Sequence, residues 1–139
     1  MKFPYFKLPN RDPKKKFLAV PWIPVSVKAN DSEKKFLMLV DSGADTCILD
    51  KDVAKFLGLN IYDGDLIKTG GIGESADIYY FHNIYINVGG EEVKTWCGFK
   101  NGYLMQGMIA GVLGRRDFFE HFRVCINEKS QEIELKVNS

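Results

Sequence analysis

The sequence predicts an all-β domain, closer to a closed barrel than to a layered α/β sheet, with two short helices. Three observations predict it. The apolar runs are short and rich in Val, Ile, Phe and Tyr. Turn residues interrupt them at short intervals. Only two segments space their apolar residues as a helix does. No long helical pattern alternates with the strands, as a parallel α/β sheet would require. With 139 residues, 45% of them hydrophobic, the chain fits one domain.

Residues 1–16 are read as a solvated N-terminal tail, because they hold Pro4, Pro9 and Pro13 and the basic run Lys14, Lys15, Lys16. The domain proper is expected over 17–139. Runs 17–20 and 23–27 are short strands broken by Pro21 and Pro24, which places a proline at an edge or a bulge. After a turn at Asn30, Asp31 and Ser32, the nearly continuous apolar run 35–40 reads as a strand covered on both faces. Another short apolar run occupies 47–49. A helix follows, with Asp50 as N-cap, Val53, Phe56 and Leu57 on one face and Gly58 as its stop. Asp63 and Gly64 signal a turn. A long strand, Asp77–Val88, turns at Gly89 and Gly90 into its partner at 93–99. Residues 101–106 form a loop and 109–113 a buried run ending at Gly114. Residues 115–122 read as a helix with Phe118, Phe119 and Phe122 inward. The last hairpin pairs 124–126 with 133–137, where Ile133, Leu135 and Val137 alternate with Glu132, Glu134 and Lys136.

Charge narrows the function. Lys plus Arg number 19 and Asp plus Glu 18, for a net charge of +1, so no basic or acidic excess argues for nucleic acid or a membrane surface. No window approaches the ~18 apolar residues of a membrane span, and the opening residues lack the apolar run of a secretory signal. Cys47, Cys97 and Cys125 are odd in number and not spaced as metal ligands. They read as reduced structural thiols in apolar surroundings, in a cytoplasmic protein without cofactor or metal. Asp63 and Asp65 lack the remaining ligands of a calcium loop. His82 and His121 have no triad-like partners in the sequence, and Asp77 reads as a surface acid.

The informative segment is Asp41-Ser42-Gly43-Ala44-Asp45, which leaves an apolar strand. A carboxylate there is only partly hydrated, and Gly43 permits a tight turn. Alone the tripeptide is an ordinary turn. Apolar runs flank it on both sides, however, and two further pieces follow: Gly70-Gly71-Ile72-Gly73, a glycine-rich hairpin tip, and Val112-Leu113-Gly114-Arg115 before a helix.

In this order and spacing the chain resembles the retropepsin family of aspartic proteases over roughly residues 17 to 126. The C-terminal hairpin and the loop 100–108 are more like single-domain cellular or bacterial members than compact retroviral ones. The resemblance implies a closed acid-protease-like β-barrel with a flap hairpin and two short helices. It also implies an aspartic endopeptidase with a polypeptide substrate. A two-lobed enzyme carries two Asp-Ser/Thr-Gly motifs and this chain has one, so the second carboxylate is expected from a second copy, in a homodimer. Asp41 from each chain is then expected to activate water and protonate the leaving amine. Ser42 is expected to bond across the two-fold axis, and Gly43 to offer its carbonyl to the substrate. Asp45 and Arg115 occupy the positions of the family's ion pair, although Arg116 could take the same role. Gly70, Gly71, Ile72 and Gly73 match the flap that closes over the peptide. Two other readings remain: a non-catalytic retropepsin-like module that dimerises or binds peptides, and a small β-barrel binding domain in which Asp-Ser-Gly is only a turn.

Overall fold

The structure, a computed structural model, describes residues 1–9, 14, 17–69, 77–100 and 109–139. In chain order its strands are β1 (Lys2–Pro4), β2 (Phe6–Pro9), β3 (Phe17–Val20), β4 (Trp22–Ala29), β5 (Ser32–Val40) and β6 (Cys47–Asp50). Then come helix α1 (Lys51–Phe56), β7 (Asp65–Thr69), β8 (Asp77–Val88), β9 (Glu91–Lys100), β10 (Gly111–Leu113), β11 (Phe122–Asn127) and β12 (Glu132–Val137). No helix among the described residues is long and apolar enough to cross a membrane.

The main sheet runs β4-β5-β10-β6-β9-β8-β7, and β8 also pairs back onto β4, with Ser26, Val27 and Lys28 opposite Asn87, Ile86 and Tyr85. The result is a closed six-stranded barrel, as the sequence predicts. Pro24 lies in the part of β4 that β8 does not reach, so its missing N–H leaves no gap in the closing ladder. Gly89 and Gly90 turn β8 into β9 with φ of 59° and 93°, values that glycine adopts without steric cost. Gly58 ends α1 at φ 66°.

Side-chain alternation gives the barrel its core. Ile23, Val25 and Val27 of β4 are fully buried, as are Met38, Leu49, Val88 and Phe99. Each such residue contributes about 1.5–3 kcal/mol by leaving water. The second half of β5 has no exposed residue, which agrees with a strand covered on both faces.

Five readings need correction. Residues 1–9 of the opening segment are not a tail. β1 pairs with β12, Lys2 opposite Glu134, and β2 forms a hairpin with β3. Tyr5 between them is 5% exposed and donates its hydroxyl to Glu128 at 2.7 Å. Apolar Phe3, Tyr5 and Phe6 outweigh Pro4 and Pro9, which sit at strand ends; Phe6 stacks on Trp22 with ring centroids 5.8 Å apart. Phe56 is 65% exposed, because the buried stripe of α1 runs through Val53, Ala54 and Leu57. Val137 is 51% exposed, lying past the core that holds Ile133 and Leu135. Cys125 is exposed, on the face of β11 opposite to that of Phe122.

The second predicted helix is shorter and broken. Arg115–Phe119 is a wide turn, closed by the Phe119 N–H on the Gly114 carbonyl at 3.4 Å, and Arg116 and Asp117 are not helical. Phe118 and Phe122 are buried, Phe119 half-buried, and β11 begins at Phe122.

Candidate active site

β10 is only three residues long, yet it organises the site. It lies between β5, to which it runs parallel, and β6, to which it runs antiparallel. A side chain at Gly111 would place its Cβ 1.9 Å from the Ile48 carbonyl oxygen, and one at Gly114 2.2 Å from that of Thr46. Only glycine lets the two backbones come this close.

That approach fixes the loop leaving β5. The Asp41 N–H donates to the Leu113 carbonyl at 3.1 Å, and the Ala44 N–H to the Asp41 carbonyl at 3.2 Å. Arg115 and Arg116 donate their N–H groups to the carbonyls of Ala44 and Asp45, at 2.8 and 2.9 Å. The Arg115 guanidinium also pairs with the Asp45 carboxylate. Asp45 therefore meets Arg115, and Arg116 goes elsewhere. Asp41 is half-buried, and its Oδ1 accepts the Gly43 N–H at 2.9 Å. Ser42 and Gly43 are exposed at the bend.

Beneath the loop lies the Cys47 thiol. It accepts the Gly114 N–H at 3.3 Å and approaches the Arg116 carbonyl at 3.9 Å. Burial pushes its pKa up to about 11, against the opposing effect of that N–H. Cys97, its register partner across β6 and β9, is also raised by burial and by Cys47 itself. Neither thiol is suited to act as a nucleophile.

Asp41 opens onto a cleft of about 590 Å³. Its walls include Ala44, Thr46, Ile48, Ile67, Thr69, Tyr79, Phe81, Trp96 and Val112. These walls are the reverse faces of barrel strands. In β8, Ile84, Ile86 and Val88 point to the core while Tyr79 and Phe81 point to the cleft. In β9, Val93, Cys97 and Phe99 serve the core, and Trp96 and Gly98 fall on the other face. Gly98 stands opposite Phe81, where a Cβ would lie 2.8 Å from Phe81 Cζ. The ring uses that space and stacks on Trp96, centroids 4.0 Å apart. Sequence reading named Ala44 and Val112 in its motifs but missed Ile67, Tyr79, Phe81 and Trp96 as cleft residues. The signal available was the alternation in β9, which leaves Trp96 out of phase with Val93, Cys97 and Phe99.

The flap residues Gly70, Gly71, Ile72 and Gly73 lie outside the described residues, as does the loop 101–108. The hairpin arms beside them are β7 and β8, paired from Asp65 opposite Phe81 to Thr69 opposite Asp77. The remaining candidates sit in structural roles. Asp50 is buried and caps α1 through the Asp52 N–H at 2.8 Å. His82 donates to the Ile61 carbonyl at 2.7 Å, and His121 meets Glu91 at 2.8 Å.

Comparison with known proteins agrees with this architecture. No curated protein matches the chain. A retropepsin-like aspartic protease from Rickettsia conorii has a similar structure, with TM-score 0.62 and 21% identity, over 97% of this chain and 89% of that one. The retroviral protease-like domain of Ddi1 from Leishmania major is similar at TM-score 0.54 and 18% identity, over 84% and 90% of the two chains. At these identities the likeness concerns the fold. The model of the family described as aspartyl protease matches residues 24–116, more than half of the chain and all of the loop, cleft and β10 just described, and the chain belongs to that family.

Proposed function

We propose that the chain is an aspartic endopeptidase that works as a homodimer. The observation that carries this reading is Asp41, a half-buried carboxylate at the edge of an open cleft, where the other lining carboxylate, Asp45, is already paired with Arg115. The sequence has one Asp-Ser-Gly, and hydrolysis of an amide by carboxylates alone needs two. One acts as base on the water and the other as acid, with a single proton shared between them. A two-fold axis passing between two copies of Asp41 supplies the pair. In this reading the Asp45–Arg115 pair and the backbone bonds to β10 hold the Asp41 loop in one geometry. Ser42, exposed at the bend, bonds across the axis. The Gly43 carbonyl receives the substrate backbone, and residues 70–73 cover the bound peptide.

Fluorogenic peptides and sedimentation at micromolar concentration test this. The unmodified chain should sediment as a dimer and cleave. Asp41→Asn should lower kcat by at least about a thousandfold, as loss of acid–base catalysis does, with an unchanged circular dichroism spectrum. A strict monomer that cleaves, or a folded Asp41→Asn variant that retains activity, would overturn the reading.

A further inference from the structure

Two neighbouring guanidiniums each touch a residue that lines the cleft, Asp45 and Trp96, and the structure uses them differently. Arg115 pairs with Asp45. Arg116 makes no ion pair with any described residue. Its guanidinium carbon lies 4.5 Å from the centroid of the Trp96 ring, a wall of the cleft.

The local backbone keeps this cation unneutralised. Asp117, the nearest carboxylate in sequence, has φ 66°, an uncommon conformation for a residue with a side chain. Its Oδ2 accepts the Trp96 backbone N–H at 2.8 Å. Glu120 in turn accepts the Asp117 N–H at 3.1 Å. Each nearby acid thus has a partner of its own. Arg116 meanwhile is tethered by its N–H on the Asp45 carbonyl at 2.9 Å. A guanidinium lying on an aromatic face keeps N–H donors along its edge, in the fork that fits a carboxylate.

We propose that Arg116 is a specificity-determining residue, which pairs with an acidic side chain of the polypeptide substrate. The proposal rests on the reading that the cleft takes an extended polypeptide. A substrate Glu or Asp lying along the Trp96 wall meets a cation already positioned by the ring and the tether, so less side-chain freedom is lost on binding. A substrate Lys or Arg at the same place is repelled.

The experiment uses otherwise neutral cleavable peptides in which Glu or Gln is placed at one position at a time. At one position, Glu should raise kcat/KM over Gln by about tenfold, the value of one charge-assisted hydrogen bond of roughly 1.4 kcal/mol. Arg116→Gln should bring that ratio close to one, and Arg116→Glu should shift the preference to Lys. Two measurements guard against a folding defect. Arg116→Lys should keep part of the preference, and added salt should lower the ratio in the unmodified chain. The same peptides are also titrated against Asp41→Asn, read by Trp fluorescence. Glu-dependent binding without hydrolysis by the unmodified chain would count against the protease reading and for the Arg116 site. Hydrolysis with a Glu-to-Gln ratio near one at every position, or an unchanged ratio in Arg116→Gln, would overturn the Arg116 assignment and leave the protease reading intact.

Discussion

The barrel interior and the cleft wall are opposite faces of the same strands, and they are built differently. Inside, Met38, Leu49, Val88, Phe99 and Leu113 are sealed from water. Outside, Ile48, Phe81 and Val112 form a small buried patch, with Leu39, Ala44, Ile67, Tyr79 and Trp96 only half-covered beside it. The interior face is mostly aliphatic and closed; the cleft face carries Tyr79, Phe81 and Trp96 among its aliphatic residues, shares its surface with solvent and has a glycine where a ring must fit. A strand's period of two makes this separation possible, since neighbouring residues take on unrelated duties. Stability and recognition should therefore divide by which face a residue occupies.

The strongest test lies where both faces depend on one backbone approach. Gly111→Ala should cost more than about 4 kcal/mol, or prevent folding, because the clash is with backbone that cannot move aside. Urea titration checks it, and a normal midpoint would mean that β10 is displaced. Phe99→Ala comes next, at about 3–5 kcal/mol from the transfer loss and the cavity left behind. Trp96→Ala, one face away on the same strand, should cost clearly less stability than Phe99→Ala and raise KM for peptides. If the two variants lose similar stability, the division by face fails.

A smaller effect separates the interior from the alkaline solvent. Tyr5 belongs to the core, and burial followed by the Glu128 contact raises its pKa from 10.0 to about 12. The folded state therefore keeps this proton more firmly than the unfolded chain does. The resulting stabilisation is fully present below pH 10 and falls away as pH rises from about 10 to 12. Tyr5→Phe should flatten that part of the stability curve. Thermal melts between pH 9 and 12, an interval chosen to bracket those values, decide it. The mildest probe is thiol labelling at neutral pH. Cys125 should react, whereas Cys47 and Cys97 should resist until the chain unfolds. Rapid labelling of all three thiols in the native protein would show that the interior opens.

Legibility in the sequence followed the range of the interactions. Local chemistry was readable: the Gly89-Gly90 turn, the Asp50 cap, the Gly58 stop and the Asp-Ser-Gly bend all depend on adjacent residues. The β1 strand was not, because what makes Lys2–Pro4 a strand is β12 at the other end of the chain. Phe56 failed for a different reason. Its spacing from Val53 suits a helical stripe, but the stripe that packs is centred on Val53, Ala54 and Leu57. In the site, the motif marked Asp41 and the ion-pair residues. The cleft wall and the separate fates of Arg115 and Arg116 depend on the register of β9 and on the positive φ of Asp117, which no spacing rule announces.

The insertion of β10 between β5 and β6 also sets an order of events in synthesis. The loop around Asp41 is held by groups from Leu113, Arg115 and Arg116, so its restraints lie far downstream in the chain. Contacts of such separation form late and slow the folding of β-rich domains. A nascent chain that has not yet released Arg116 from the ribosome can pair β4 with β5, but its Asp41 loop lacks those partners. The site is thus completed only once Arg116 has emerged, after the strands of the barrel through β10 are available to pair.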